Sequence, residues 1–179
     1  WGHYVRNLGE LGDKKVETSV ILHEFGVSHE AFSPSVMACL PPADWKITPQ
    51  IIAGRADLRH IPVVSIDPPG CKDIDDALHC RPLPNGNFEA GVHIADVTHF
   101  CKPGSALDKE ASHRCTSTYL VERRLDMLPS LLTTELCSLR STEDHLAFSV
   151  IWEIDPEGQI VDVKFMKSVI RSVASLTYG

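Results

Sequence analysis

The sequence predicts a mixed α+β domain built on a largely antiparallel sheet. Three observations carry that expectation. Residues 76–81 and 88–95 read with a period of two and flank Pro84-Asn85-Gly86-Asn87. Asn-Gly between such runs is a strong short-range hairpin signal. Residues 146–154 and 160–170 repeat the arrangement around Asp155-Pro156-Glu157-Gly158. The helical signals between these strands are short.

Taken in order, residues 1–12, with Gly2, Gly9 and Gly12, read as the end of a β-rich module. Asp13 is placed to cap a helix through Glu24, with a partial apolar stripe of Val16, Val20 and Leu22, and Gly26 ends it. Residues 28–45 carry Pro34, Pro41 and Pro42 and read as an extended connector. Thr48-Pro49 is a capping hydroxyl followed by proline at the first helical position, which predicts a helix to about Arg59. Residues 61–66 form a buried strand, followed by a loop rich in Pro, Gly and Asp. Ser105 and Asp108 open a helix through about Arg114 by a capping-box pattern, with Asp in place of the usual Glu or Gln. Residues 116–120 are a short strand, and residues 125–140 are leucine-rich and irregular. No repeat or low-complexity segment interrupts the chain.

The length of 179 residues fits one domain, or one domain with a short partner segment. With 43% hydrophobic and 23% charged residues, a sizeable core can be buried. No apolar run approaches a membrane span and no signal peptide opens the chain, so no membrane partner is expected. No Met precedes Trp1, and Leu176-Thr177-Tyr178-Gly179 carries no stop signal, so the chain reads as a fragment cut at both ends. Cys39, Cys71, Cys80, Cys101, Cys115 and Cys137 form no C-x-x-C pair, which predicts reduced thiols in a cytosolic or nuclear protein. A zinc site from Cys80 and nearby histidines lacks the spacing. The net charge of −7 runs against RNA-backbone binding, which needs a local basic channel.

The most informative stretch is Ser65-Ile66-Asp67-Pro68-Pro69-Gly70-Cys71-Lys72-Asp73-Ile74-Asp75-Asp76, with four aspartates in ten residues. Asp67 closes a strand, and Pro68, Pro69 and Gly70 then force a turn that can return Asp73, Asp75 and Asp76 beside it. Carboxylates packed together repel unless a cation sits among them. All-oxygen ligands favour magnesium, manganese or calcium over zinc. An acidic surface loop would show the same spacing. An EF-hand loop from Asp73 fails, because Leu78 stands where glycine is needed and Pro84 where glutamate is needed.

This stretch, continued by Ala77-Leu78-His79, resembles the magnesium-site signature of the ribonuclease II (RNB) family. Asn85-Gly86-Asn87, Gly91-Val92-His93-Ile94-Ala95-Asp96-Val97, Thr118-Tyr119-Leu120, Asp126-Met127-Leu128-Pro129 and Leu136-Cys137-Ser138-Leu139 continue the likeness in order. It covers residues 55–179, as the first part of an RNB catalytic domain. Residues 1–54 resemble the end of a cold-shock (OB-type) RNA-binding module and its linker. The Pro-Pro-Gly-Cys version is closer to the eukaryotic exosome branch than to the bacterial enzymes. The resemblance implies a 3′-to-5′ hydrolytic exoribonuclease that degrades single-stranded RNA to nucleoside 5′-monophosphates. It implies magnesium, with manganese possible, exosome core subunits as partners, and a nuclear (nucleolar) and cytoplasmic location.

Carried over residue by residue, Asp67, Asp73, Asp75 and Asp76 fall on metal positions, and Asp75 falls on the position tied to the hydrolytic step. Tyr119 matches an aromatic that stacks on the 3′-terminal base, although a strand tyrosine can also be a core residue. His93 is a candidate RNA contact, against the alternative of a hydrogen-bonded structural histidine. Arg114, Arg123, Arg124 and Arg140 could line the RNA path or be solvated surface charges. A second function class, an RNB-like RNA-binding or scaffold protein without catalysis, would be signalled by a lost aspartate, and all four are present. The rest of the catalytic domain lies outside the sequence, so the chain alone is expected to be inactive.

Overall fold

The computed structural model describes residues 1–178. Helix α1 spans Lys14–Glu24, and the Asp13 carboxylate accepts the backbone N–H groups of Lys15 and Val16 at 2.9 and 3.1 Å. Its only buried residue is Leu22, as the partial apolar stripe predicts. Residues 1–10 form no strand, because no second strand lies alongside them to complete a ladder. The β-rich end expected there is therefore not seen.

Two further expectations change. The connector at residues 28–45 contains a helical turn, α2, at Pro34–Met37. Ser33 caps it and Pro34 occupies the first turn, where a proline starts a helix rather than breaking one. Helix α3 begins at Pro49 under its Thr48 cap but ends at Ala53, with Gly54 as the C-cap. The next residues leave the helix because Ala56–Asp57 pair in parallel with a distant strand as β1.

The main sheet follows the predicted hairpins. Strand β2 is Val63–Asp67, β3 is Asp76–Pro82 and β4 is Phe88–Ala95. A 3₁₀ turn at Val97–His99 leads to α4, Ala106–Arg114. The α4 start is a reciprocal cap: Ser105 Oγ accepts the Asp108 N–H at 3.1 Å, and the Asp108 carboxylate accepts the Gly104 N–H at 2.8 Å. Two short strands, β5 (Thr118–Tyr119) and β6 (Arg124–Leu125), form a separate hairpin. The leucine-rich segment contains a π-helical turn, Leu131–Leu136, and then β7 (Asp144–Ile154) and β8 (Ile160–Thr177) complete the sheet.

Pairing runs β8-β2-β3-β4-β7, and β7 pairs back to β8, so the sheet closes on itself. The β2–β3, β3–β4, β4–β7 and β7–β8 pairs are antiparallel, while β1 and β2 run parallel to β8. The eighteen residues of β8 make closure possible. Its first part pairs with β7, and Ser172–Thr177 pair with β2. The mixed, mostly antiparallel sheet agrees with the sequence, and the pairing of Ser172–Thr177 with β2 leaves no free edge there. Gly179 lies outside the described residues.

A closed sheet of so few strands has a narrow interior, and small side chains fill it. Ala77, Ala95, Ala147, Ser65, Ser149 and Ser168 are all buried on the strands. At one end the interior runs into a larger apolar core, where Leu107, Phe100, Leu132, Leu139 and Ile74 pack with Val63 and Ile170.

Candidate metal centre and RNA interface

The aspartates sit where β2 leaves the sheet and β3 enters it. Asp67 is the last residue of β2 and Asp76 the first of β3. The turn between them closes with the Cys71 N–H on the Pro68 carbonyl at 3.1 Å, and Gly70 takes φ +81°, a left-handed value that glycine adopts without strain. Ile74 is 4% exposed and packs into the core, so its neighbours Asp73 and Asp75 point away from it. The Ala95 N–H donates to the Asp75 carbonyl at 2.9 Å, tying the end of the loop to β4.

The four carboxylates are not equivalent. Asp73 is paired with the Arg124 guanidinium, which also holds Asp126. Asp67 Oδ2 is buried with no hydrogen-bond partner. At Asp75, burial of its inner side and the negative charges of Asp73, Asp76 and Asp67 raise the carboxyl above its ordinary value, with Arg124 opposing them. As they stand, no three His, Cys, Asp or Glu side chains among the described residues form a ready metal cage. The donor chemistry nevertheless fits a hard divalent cation. The set is all oxygen, one oxygen is buried and unpartnered, and the charge at Asp75 is disfavoured by its acidic neighbours.

Tyr119 is 72% exposed and lies directly opposite Arg124 in the β5–β6 hairpin. The residue that grips Asp73 is thus the cross-strand partner of the candidate stacking tyrosine. This coupling had no sequence signal, because Arg124 and Asp73 stand far apart in the chain. Of the other arginines considered, Arg114 pairs with Glu110 at 2.8 Å and covers the Phe32 ring at 4.0 Å, and Arg140 pairs with Glu135 and Glu143. These two serve the fold. Arg123 and Lys72 are in no ion pair among the described residues; Lys72 lies within the aspartate loop and Arg123 adjoins Arg124.

His93, expected as an RNA contact, is not one in this fold: it is 0% exposed, inside the closed sheet. Its Nε2 meets His79 Nδ1 at 2.8 Å and its Nδ1 meets Ser149 Oγ at 2.7 Å. His79 Nε2 reaches Glu89 at 3.1 Å, and Ser149 Oγ lies 2.6 Å from Ser168 Oγ. Burial works to raise the Glu89 carboxyl, but Arg81 and His79 hold it below its ordinary value, so Glu89 only accepts. His79 Nε2 therefore donates to Glu89, and beyond it one proton is shared between the facing His79 and His93 nitrogens while the Ser149 and Ser168 hydroxyls continue the chain. Burial, with His79 alongside, lowers the His93 pKa to about 4.

A second buried cluster was also missed. Asp96, which follows β4, is 3% exposed and bound by Arg55 at 2.6 Å and by Lys167. Burial opposes its charge, but Lys167, Thr98 and Arg55 hold its pKa at about 2. Arg55 also donates to the carbonyls of Ala147 and Ser168, fastening the segment before β1 across β7 and β8.

A closed, mostly antiparallel sheet with an aspartate loop between β2 and β3 defines a known class: the chain belongs to the RNB domain family, which matches residues 55–179. Within it, the chain is 59% identical over 179 residues to "exosome complex exonuclease RRP44 homolog A" of Arabidopsis thaliana. It is 56% identical over 178 residues to "exosome complex exonuclease RRP44" of Homo sapiens. Each alignment covers 99% of this chain and 19% of the relative, so the chain spans about a fifth of their length. Among solved structures, Mycoplasma genitalium RNase R in complex with ribose methylated single-stranded RNA superposes with a TM-score of 0.86 at 27% identity, covering 96% of this chain and 26% of that one. Yeast Ssd1, described as a pseudonuclease, shares the fold with a TM-score of 0.77 at 24% identity, covering 97% of this chain and 22% of that one.

Proposed function

We propose that this chain is the first part of the catalytic domain of a magnesium-dependent 3′-to-5′ exoribonuclease that releases nucleoside 5′-monophosphates from single-stranded RNA. The observation that carries the reading is the aspartate loop. Burial of Ile74 turns Asp73 and Asp75 outward, between Asp67 and Asp76 on flanking strands. Asp67, Asp73, Asp75 and Asp76 would hold magnesium, or manganese in its place. Divalent ions bound there would activate a water and neutralise the leaving oxygen of a phosphodiester. Asp75 is assigned to the hydrolytic step itself. Tyr119 offers an exposed ring on which the 3′-terminal base stacks regardless of sequence. Residues 1–54 are read as the end of a cold-shock module and its linker. The names of the relatives support association with an exosome complex; exosome core subunits as the partners, and action in RNA processing and decay in the nucleus, including the nucleolus, and in the cytoplasm, complete the proposal.

The test uses the whole protein that carries this chain. Asp75→Asn keeps the shape and removes one charge. It should cut mononucleotide release by at least about a hundredfold while RNA binding survives. Near-normal turnover would overturn the assignment. EDTA should stop the wild-type reaction, and magnesium or manganese should restore it. Degradation that persists in chelator would remove the divalent-ion reading. RNA that is bound but never shortened, with magnesium present, would establish the binding-only alternative.

A further inference from the structure

Resting on that reading, we infer that Ser138 is a positioning residue: its hydroxyl sets the path of the aspartate loop and so the directions of Asp73 and Asp75. Residues 71–75 belong to no strand, so no ladder fixes them. Their backbone polar groups must find partners elsewhere. The Ile74 N–H donates to Ser138 Oγ at 3.0 Å, and the Ser138 hydroxyl donates to the Lys72 carbonyl at 2.9 Å. One hydroxyl thus spends its single donor and one acceptor site on the two peptide groups that flank Asp73. The adjoining Leu139 N–H takes the Ile74 carbonyl at 2.8 Å. From the opposite side Ala95 holds the Asp75 carbonyl. Ser138 itself is 1% exposed, so water does not compete for these bonds.

Burial of Ile74 decides which side Asp73 and Asp75 face, but a buried apolar side chain is free to rock about its own backbone. The serine removes that freedom at a point one residue from each carboxylate. Displacement of a reacting group by about 1 Å can cost on the order of a hundredfold in rate. Ser138 therefore acts through the aspartates and has no contact of its own with RNA or metal. Ser172 provides the comparison. It is equally buried and donates one hydrogen bond, to the Ala174 carbonyl at 3.0 Å, away from the loop.

The experiment compares Ser138→Ala with Ser172→Ala in the whole protein. Both should lower the melting temperature, Ser138→Ala somewhat more because it strands two backbone groups rather than one. Only Ser138→Ala should speed hydrogen exchange at the Ile74 amide, weaken manganese binding measured by electron paramagnetic resonance in the absence of RNA, and lower kcat by roughly tenfold or more with RNA affinity unchanged. Ser138→Cys, with a weaker donor in the same place, should fall between. The inference is overturned if Ile74 exchange and manganese binding stay at wild-type values, or if the two alanine variants lose activity equally and only in proportion to stability. Ile74 exchange and manganese binding are read without turnover. A wild-type protein that binds manganese but degrades no RNA would sink the exoribonuclease reading and leave the role of Ser138 in the loop to be decided by those two measurements.

Discussion

A proton added to His93 places a charge inside a buried hydrogen-bonded chain. Its Nδ1 meets Ser149 and its Nε2 meets His79, so the charged form sits beside a second imidazole in a buried space. The folded-state pKa of about 4 lies below the ordinary value of 6.5. The unfolded chain therefore binds more protons between those values, and stability falls as pH drops from 6.5 towards 4. The full contribution is about 3 kcal/mol. His145 and His99, whose pKa values burial also lowers, add to the slope. Denaturant midpoints measured across that range should show a shallower decline in His93→Gln than in wild type, and equal slopes would refute the relay. Tyr119 is the opposite case, an exposed ring with its face available. Tyr119→Ala should weaken binding of a single-stranded oligonucleotide by about 1–3 kcal/mol, and Tyr119→Phe should leave it intact. Equal affinity for the alanine variant in equilibrium binding would remove the stacking role.

Among the elements, β4 shows how one residue type can be dictated by a neighbour on the next strand. A Cβ on Gly91 would lie 2.2 Å from His79 Cε1 and 2.5 Å from Nδ1, so the His79 ring occupies the place of a side chain. Gly91→Ala must push that ring away and leave His93 Nε2 without its partner. Overpacking of this kind costs about 1–3 kcal/mol, and the lost relay adds to it. A melting temperature equal to wild type would show that the ring can sit elsewhere. The β5–β6 hairpin follows a different logic. It is too short to be stable alone and is fastened to the aspartate loop through Arg124. That attachment places Tyr119 in a set relation to Asp73, which a hairpin packed only by apolar contacts would not do.

For the molecule as a whole, charge is the main constraint on handling RNA. The net charge is −7, and Arg55, Arg59, Arg81, Arg114, Arg124, Arg140 and Arg171 are all committed to carboxylates. Among the described residues Arg123 is then the one arginine outside any ion pair, which disfavours strong phosphate binding by this chain alone. The outward face of the sheet also carries exposed Leu78, Ile94, Phe148 and Phe165, which favours association when this chain stands alone. Correct placement of a substrate can supply about 7–11 kcal/mol of a barrier, and the aspartates alone do not provide it. The 179-residue chain by itself should therefore degrade a single-stranded oligonucleotide far more slowly than the whole protein, with magnesium present. Comparable rates would show that these residues form a self-sufficient nuclease.

Part of this architecture is legible residue by residue. The hairpin at Asn85-Gly86, the caps at Asp13, Thr48 and Ser105, and the aspartate cluster depend on local chemistry: backbone dihedrals, capping oxygens and alternation along a strand. Such features act over a few residues and can be read along the chain. Helix α3 was overestimated because Ala56–Asp57 are claimed by β8, more than a hundred residues away. Closure of the sheet by β8, the burial of His93 against Ser149, the grip of Arg124 on Asp73 and the hold of Ser138 on Ile74 were decided only by the tertiary structure. Each joins residues distant in the chain, and a histidine, arginine or serine carries no mark of which remote partner it will meet. That choice is made when the core closes and every buried polar group must find a partner.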